Sequence, residues 1–382
     1  MRRGLFSHLR AYCERLARGA PVGFAVCLGG REVFRHGDHP PQFTFRARDA
    51  ETLDQLARAG QVGFALGYIT GALELDGDLA ALFDLALCPE AQEPGPALAH
   101  FARAAIAALP ALRRHIALAC RLYAAPRPDT RFYEILLGDA LVYSAARFES
   151  ESEPLARAQE RKLAHVCDAL ALAPGQSLLD IGCAWGELLI HAARHHGVRG
   201  VGYTIDPRQH AGALERVARA GLADRVTLHL ADYRTATGVH DRWVSLEMNH
   251  QLPLGEYGAY FQHAAARLKP GGRGLLQSLG RDATHPPPGL LAFIPMARSL
   301  PLFGELTAPL RRAGLALVRT TDVSRQYALT IRGWNAGLES HRPELEARHG
   351  PELVRACGLS MLATAARFEV ADLRLWQLEL AR

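Results

Sequence analysis

Residues 178–186 read "LLDIGCAWG", and the fold turns on them. An apolar run carrying Asp180 breaks at Gly182, Cys183, Ala184, Trp185 and Gly186, directly before the helical stretch "ELLIHAARHHG". A strand that becomes a helix through glycines brings backbone close to a ligand and offers it the free N–H groups of a helix start. The spacing is Gly182-x-x-x-Gly186 rather than G-x-G-x-x-G. That wider turn suits a nucleoside bearing an amino acid better than a dinucleotide pyrophosphate. Ala184 stands where such loops usually carry a third glycine. A methyl group is tolerable there at negative φ, so the loop is expected to keep its ligand.

Working outward, "SLLDIG", "VRGVGYTI", "RVTLHLAD", "RWVSLEM" and "RGLLQSL" alternate with helical runs from residue 160 onward. This alternation predicts a parallel α/β sheet with helices on both faces and a ligand at the carboxyl ends of its strands. The second strand runs into "YTIDPRQ". Asp206 before Pro207, with Gln209 closing a capping box, reads as a helix start before it reads as a ribose ligand. Thr204 takes the strand-end position from which an acidic residue would grip ribose hydroxyls. Asp232, in "ADYR" after the third strand, is placed to meet an adenine amino group. In "ARLKPGGRGLLQSL" a helix is followed by a Pro-Gly-Gly turn and a strand. Four such features in order point to S-adenosylmethionine.

A chain of 382 residues exceeds one core of ordinary size. The segments "VGFAVCLGG", "REVFRHG" and "QFTFRAR" suggest short strands, followed by helices near 51–60 and 77–87. We therefore expect a small α+β domain with a helical connector over 1–125 and the sheet domain over 126–382, joined at "APRPDT". The net charge of +5 is not gathered into any dense Lys/Arg block, which argues against nucleic acid as a partner. Seven cysteines without a CxxC pair read as reduced thiols of a cytoplasmic protein. The basic beginning has no apolar core run behind it, so it is not read as a signal peptide. The stretch at 98–125 comes nearest to a membrane span, but Arg103, Pro110 and Arg113–Arg114 interrupt it. It reads as packed helices, with a helix lying on a membrane surface as the alternative. His195, His196 and His285 lack a partner at ligand spacing, so no metal is expected.

From about residue 130 to the end, the chain resembles the cyclopropane-fatty-acyl-phospholipid synthases and mycolic acid methyltransferases. The residues that carry it are "RFYEILLGDALVYSAARF" (131–148), the stretch 178–209, "RWVSLEMNHQLPLGEYGAYFQHAAARLKPGGRGLLQSL" (242–279), "RQYALTIRGW" (325–334) and "LRLWQLEL". "GFALGYITGALELDGDLAALFDL" extends the likeness more weakly into the N-terminal part. The resemblance implies a class I S-adenosylmethionine-dependent methyltransferase, a Rossmann-like sheet with a small N-terminal α+β domain and a lipid-binding crevice. It implies a cofactor pocket of Tyr143, Ser144, the loop at Gly182, Thr204, Ile205 and Gln209, to which the residue reading above adds Asp180, Gly186 and Asp232.

The reacting end departs from the pattern. The family holds a bicarbonate ion with a cysteine, a glutamate, a histidine and a tyrosine. Those positions fall on Ala145, His250, Gln277 and Tyr327; the histidine beside the glutamate falls on Gln251, and a C-terminal cysteine on Thr364. Bicarbonate is therefore not expected, because an anion stripped of its donors is costly to bury. Attack of an alkene on the sulfonium methyl leaves a carbocation and a proton to be removed. His250 is the first candidate for that base, Glu247 a second carboxylate candidate, and Tyr327 with Trp334 and Phe293 could line an acyl crevice. The expected activity adds a methyl or methylene to an unsaturated acyl chain of a lipid, at a membrane surface reached peripherally from the cytoplasm. The alternatives are a methyltransferase of small specialised metabolites and a catalytically silent lipid-binding relative. A homodimer is left open.

Overall fold

The computed structural model describes residues 2–49, 53, 60–87, 128–282, 300–369 and 373–382. The 98–125 segment, most of the expected 51–60 helix, His285 and Phe293 lie outside them. The chain divides into two compact units. The first takes in residues up to Asp129 together with Asn335–Ala366, and the second runs from Thr130, leaves out that insertion, and resumes at Arg367.

In the first unit, helix α1 (Arg2–Gly19) precedes strands β1 (Phe24–Leu28), β2 (Arg31–His36) and β3 (Phe43–Ala47), then α2 (Gly60–Thr70), β4 (Leu73–Gly77) and α3 (Leu79–Leu87). The sheet order is β2-β1-β3-β4, with only β1 and β3 parallel. Stacked and tilted rings of Phe24, Phe43, Phe45 and Phe64 fill its core. The expected helix from 77 begins two residues later, because Gly77 pairs with Phe43 as the end of β4. At φ +101 its Cα lies so close to Gln42 that a Cβ would meet that carbonyl oxygen at 2.3 Å. Placing all of 126–382 in one domain is also corrected. Leu359, Leu362, Ala363 and Ala366, on the helix Pro351–Glu369, pack against Phe83, Ala65, Tyr68 and Ile69 of the first unit.

The second unit opens with α4 (Thr130–Leu137) and α5 (Leu155–Ala169). Next come β5 (Ser177–Ile181), α6 (Glu187–His196), β6 (Arg199–Thr204), α7 (Pro207–Arg219), β7 (Val226–Leu230) and β8 (His240–Leu246). The chain continues through α8 (Tyr257–Arg267), β9 (Leu268–Arg281), α9 (Phe303–Arg312), β10 (Ala316–Asp322), α10 (Ser324–Ser340), α11 (Arg342–His349), α12 (Pro351–Glu369) and β11 (Leu373–Ala381). Seven strands order as β10-β11-β9-β8-β5-β6-β7. The five from β9 to β7 are parallel, as expected, but β11 enters antiparallel between β9 and β10. One apolar layer centres on Leu178, Leu189, Val244 and Leu275, the other on Leu179, Trp243, Tyr260 and Phe261. Residues alternating along one strand thus feed both faces, as a covered parallel sheet requires. The Pro-Gly-Gly segment is not a turn before β9 but a bulge inside it. Its register with β8 shifts from His240↔Leu268 to Arg242↔Arg273.

Candidate active site

The turn after β5 is pinned from behind. The N–H groups of Gly182 and Cys183 both donate to the Tyr203 carbonyl of β6, at 2.9 and 3.0 Å. Gly182, Ala184 and Gly186 have φ of +85, +46 and +78, so every second residue is left-handed. Ala184 therefore does not escape to negative φ as expected; it holds the conformation a glycine would hold more cheaply. Ala184→Gly should raise stability by up to about 1 kcal/mol and leave cofactor affinity nearly unchanged. A lower denaturant midpoint for the variant would mean that the methyl group is needed where it sits.

Asp206 caps α7 as read, its Oδ1 accepting from the N–H groups of Arg208 (2.9 Å) and Gln209 (3.4 Å). The capping box does not close. Gln209 Oε1 instead accepts from the Thr204 hydroxyl at 3.0 Å, while the cap's own N–H donates to that hydroxyl's oxygen at 3.3 Å. Between them Ile205 is 76% exposed, and Tyr143 is half-exposed. Asp232 caps the short turn Tyr233–Thr235 and also pairs with Arg234, so a ligand amino group would share it. Thr130, Tyr133, Trp185, Asp206, Arg208 and Gln209 line a narrow recess beside the α7 start. No role for Tyr133 is legible in the sequence, and none for Trp185 beyond its place inside the glycine turn.

Next to Tyr143 lies a buried polar cluster. Ser144 Oγ accepts from Lys162 Nζ at 2.9 Å, and Gln159 Nε2 donates to the Ser144 carbonyl at 3.0 Å. Glu247 stands just past the end of β8 with φ +61. Its Oε1 accepts from the Ala145 N–H at 2.8 Å and from Gln277 Nε2 at 2.6 Å, and the Tyr327 hydroxyl is close enough to the same carboxylate to pull its pKa down. Gln277 is held in turn: Gln377 Nε2 donates to its Oε1 at 3.3 Å, and His165 Nε2 meets Gln377 Oε1 at 2.9 Å. Burial pushes the Glu247 pKa up, against the pull of those donors and of Lys162. Burial likewise raises Asp180 to about 7 and lowers Lys162 to about 8, each opposed by the opposite charges nearby. Lys162 and Gln377, which sequence reasoning missed, complete the cluster; a lysine inside an otherwise amphipathic helix gave no signal.

His250 sits in the one-turn segment Asn249–Gln251, buried, with Nδ1 unpartnered among the described residues. Burial alone pushes its pKa down to about 4, so the ring is neutral at physiological pH. Thr364 belongs to the first unit and donates to the Ser360 carbonyl. Away from the glycine turn, ligand atoms of Cys167, His191 and His196 lie within 4.8 Å of one another and could hold a metal ion. The sequence reading did not include His191, whose helical phase brings it over Cys167.

A parallel five-strand core, a left-handed glycine turn at the carboxyl end of its central strand and a capped second helix define a class I S-adenosylmethionine-dependent methyltransferase. The family described as mycolic acid cyclopropane synthetase matches residues 129–378. The chain belongs to that family and is a lipid-modifying methyltransferase with S-adenosylmethionine as cofactor. It is 27% identical to a probable fatty acid methyltransferase of Pseudomonas putida, over 88% of this chain and 86% of that one. It is 30% identical to the cyclopropane-fatty-acyl-phospholipid synthase of Escherichia coli, over 65% of this chain and 64% of that one. The cyclopropane synthase MmaA2 from Mycobacterium tuberculosis superimposes with a TM-score of 0.64 at 25% identity, over 66% of this chain and 94% of that one. Among the described residues no helix is long and apolar enough to cross a membrane.

Proposed function

We propose that the chain transfers the methyl group of S-adenosylmethionine to a carbon–carbon double bond in the acyl chain of a membrane lipid. The reaction ends in loss of a proton, giving a cyclopropane ring, a methylene branch or a methylated alkene. A saturated methyl branch would need a hydride donor and is not proposed. The observation that carries this reading is an aromatic wall running into the buried cluster. Tyr133 meets Tyr143 (5.9 Å between ring centroids), Tyr143 meets Trp334 (5.3 Å), Trp334 meets Tyr327 (5.9 Å), and Tyr327 meets Phe368 (5.1 Å). An alkene is a weak nucleophile whose attack produces a carbocation, and π-faces in a site that excludes water stabilise that charge. The cofactor supplies the electrophilic methyl. The N–H groups opening α6 after Gly182 and Gly186 would hold its amino-acid end, with Ser144 and Asp180 beside them. Thr204, Gln209 and Asp232 would take the ribose and base, between the exposed faces of Tyr143 and Ile205.

Incubation with methyl-labelled S-adenosylmethionine and vesicles of mixed unsaturated phospholipids tests the reading. One labelled CH2 unit gained on unsaturated lipids, with the protein floating with the vesicles, is the expected result. Label on polar metabolites alone would move the substrate to the small-molecule class. A chain that binds the cofactor but labels nothing would be a silent lipid-binding relative.

A further inference from the structure

We infer that the Glu247 carboxylate is the proton acceptor of this reaction, a built-in side-chain anion held in a seat that would otherwise need a free ion. The inference rests on the methyl-transfer reading above, since it assigns the step that ends it. Three observations support it. The first is the donor set: the Ala145 N–H and Gln277 Nε2 converge on one carboxylate oxygen, and Gln277 is aimed by the Gln377–His165 chain behind it. An amide with its oxygen engaged from behind can present only its NH2 in front.

The second is place. Glu247 follows the strand next to β5, and its neighbour Met248 packs so closely on the cofactor turn that a Cβ on Gly182 would meet Met248 Cβ at 2.7 Å. Tyr327, whose hydroxyl and the Glu247 carboxylate act electrostatically on one another, is itself a member of the aromatic wall.

The third is that the position is doubly costly. A glutamate at φ +61 carries left-handed strain, and its carboxylate is buried. Strain of this kind is retained where the surroundings impose it, and such positions cluster at functional sites.

The step balances without an added reagent. The π pair of the alkene bonds to the methyl carbon, and the C–S pair leaves with sulfur as S-adenosylhomocysteine. A C–H pair of the new methyl group then closes the ring, or a C–H pair adjacent to the cation forms a new double bond in the chain. After a hydride shift to the cationic carbon, a methyl C–H pair forms the methylene branch instead. In each case the proton goes to Glu247. Accepting it makes Glu247 neutral in a buried site, whereas His250 would become a buried cation. Among the described residues burial lowers the His250 pKa, and its Nδ1 has no partner.

Glu247→Gly tests this, because glycine relaxes the left-handed φ while emptying the seat. Turnover should fall by roughly 10²–10⁴-fold, and cofactor affinity should stay within a few fold. Added bicarbonate or formate should restore part of the turnover and raise the melting temperature of the variant, with neither effect on the parent. Glu247→Gln, which keeps the shape but cannot take a proton, should be equally slow and not rescued. Retained turnover in either variant would overturn the inference, as would rescue of neither turnover nor melting temperature by the anions. So would abolition by His250→Ala while Glu247→Gly stays active. If the parent labels no unsaturated lipid, the reading of the function falls, whereas stabilisation of the Gly variant alone by bicarbonate still decides whether the seat is an anion site.

Discussion

Lys162→Met is expected to lower stability by roughly 3–5 kcal/mol near neutral pH, the range for breaking a buried charge pair from one side. Lys162 is buried at the third turn of α5 and holds Ser144 Oγ, with the carboxylates of Glu247 and Asp180 as its nearest opposite charges. Methionine fills the volume but leaves both carboxylates uncompensated. The pH dependence has a definite sign. Asp180 has a folded pKa raised from 3.8 to about 7, so its protonated form favours folding and that contribution is lost as pH rises from about 4 through 7. Lys162 has a folded pKa lowered from 10.5 to about 8, so stability recovers as pH rises from about 8 towards 10. Both charges are present together only near neutrality, where they need each other. The gap between parent and variant in urea midpoint should therefore be widest near pH 7 to 8 and narrow at about pH 5, with Asp180 protonated. An equal gap at both pH values would show that packing, not charge, accounts for the loss.

Gly186→Val is expected to weaken S-adenosylmethionine binding by at least about a hundredfold, close to 3 kcal/mol. Gly186 is both the last left-handed residue of the turn, at φ +78, and the N-cap of α6. A Cβ there would already meet Ala213 Cβ of α7 at 3.3 Å, and the two further methyl groups of valine have no room without moving α6 or α7. Either movement misplaces the N–H groups that are to receive the cofactor. Gly175→Ala separates strain from crowding. That residue is also left-handed, at φ +81, but a Cβ there meets nothing within 4 Å. It should lose stability and keep its affinity in calorimetry. Undiminished binding by Gly186→Val would remove the cofactor from this turn.

The parts of the chain that sequence made legible are those governed by local rules. Alternating strands and helices, the glycine turn and the Asp206–Pro207 cap each follow from residues within a few positions of one another. What stayed hidden depends on partners far along the chain. Gln209 looks like the closing member of a capping box until the Thr204 hydroxyl claims it. Nothing near Glu247 reveals a left-handed backbone, and nothing near Lys162 reveals that two carboxylates lie inside the helix face it joins. Ala184 shows the limit from the other side. Its identity suggested that the turn had relaxed away from the glycine conformation, yet the pinning of Gly182 and Cys183 to Tyr203 leaves that backbone no alternative.

The antiparallel placement of β11 also bears on how the protein comes to be made. Gln277 and Gln377 are register partners across β9 and β11, so a hundred residues must emerge after the first before the second can reach it. Until then the largely buried strand β9 has one open edge, a surface prone to pairing with a neighbouring chain. Closing so long a loop delays the last pairing. Nascent molecules thus pass through an interval in which the glycine turn can already form while the amide facing Glu247 has nothing to aim it. Premature crowding, rather than weak final packing, is the hazard this topology sets for expression, and slower synthesis or chaperone supply is the remedy it suggests.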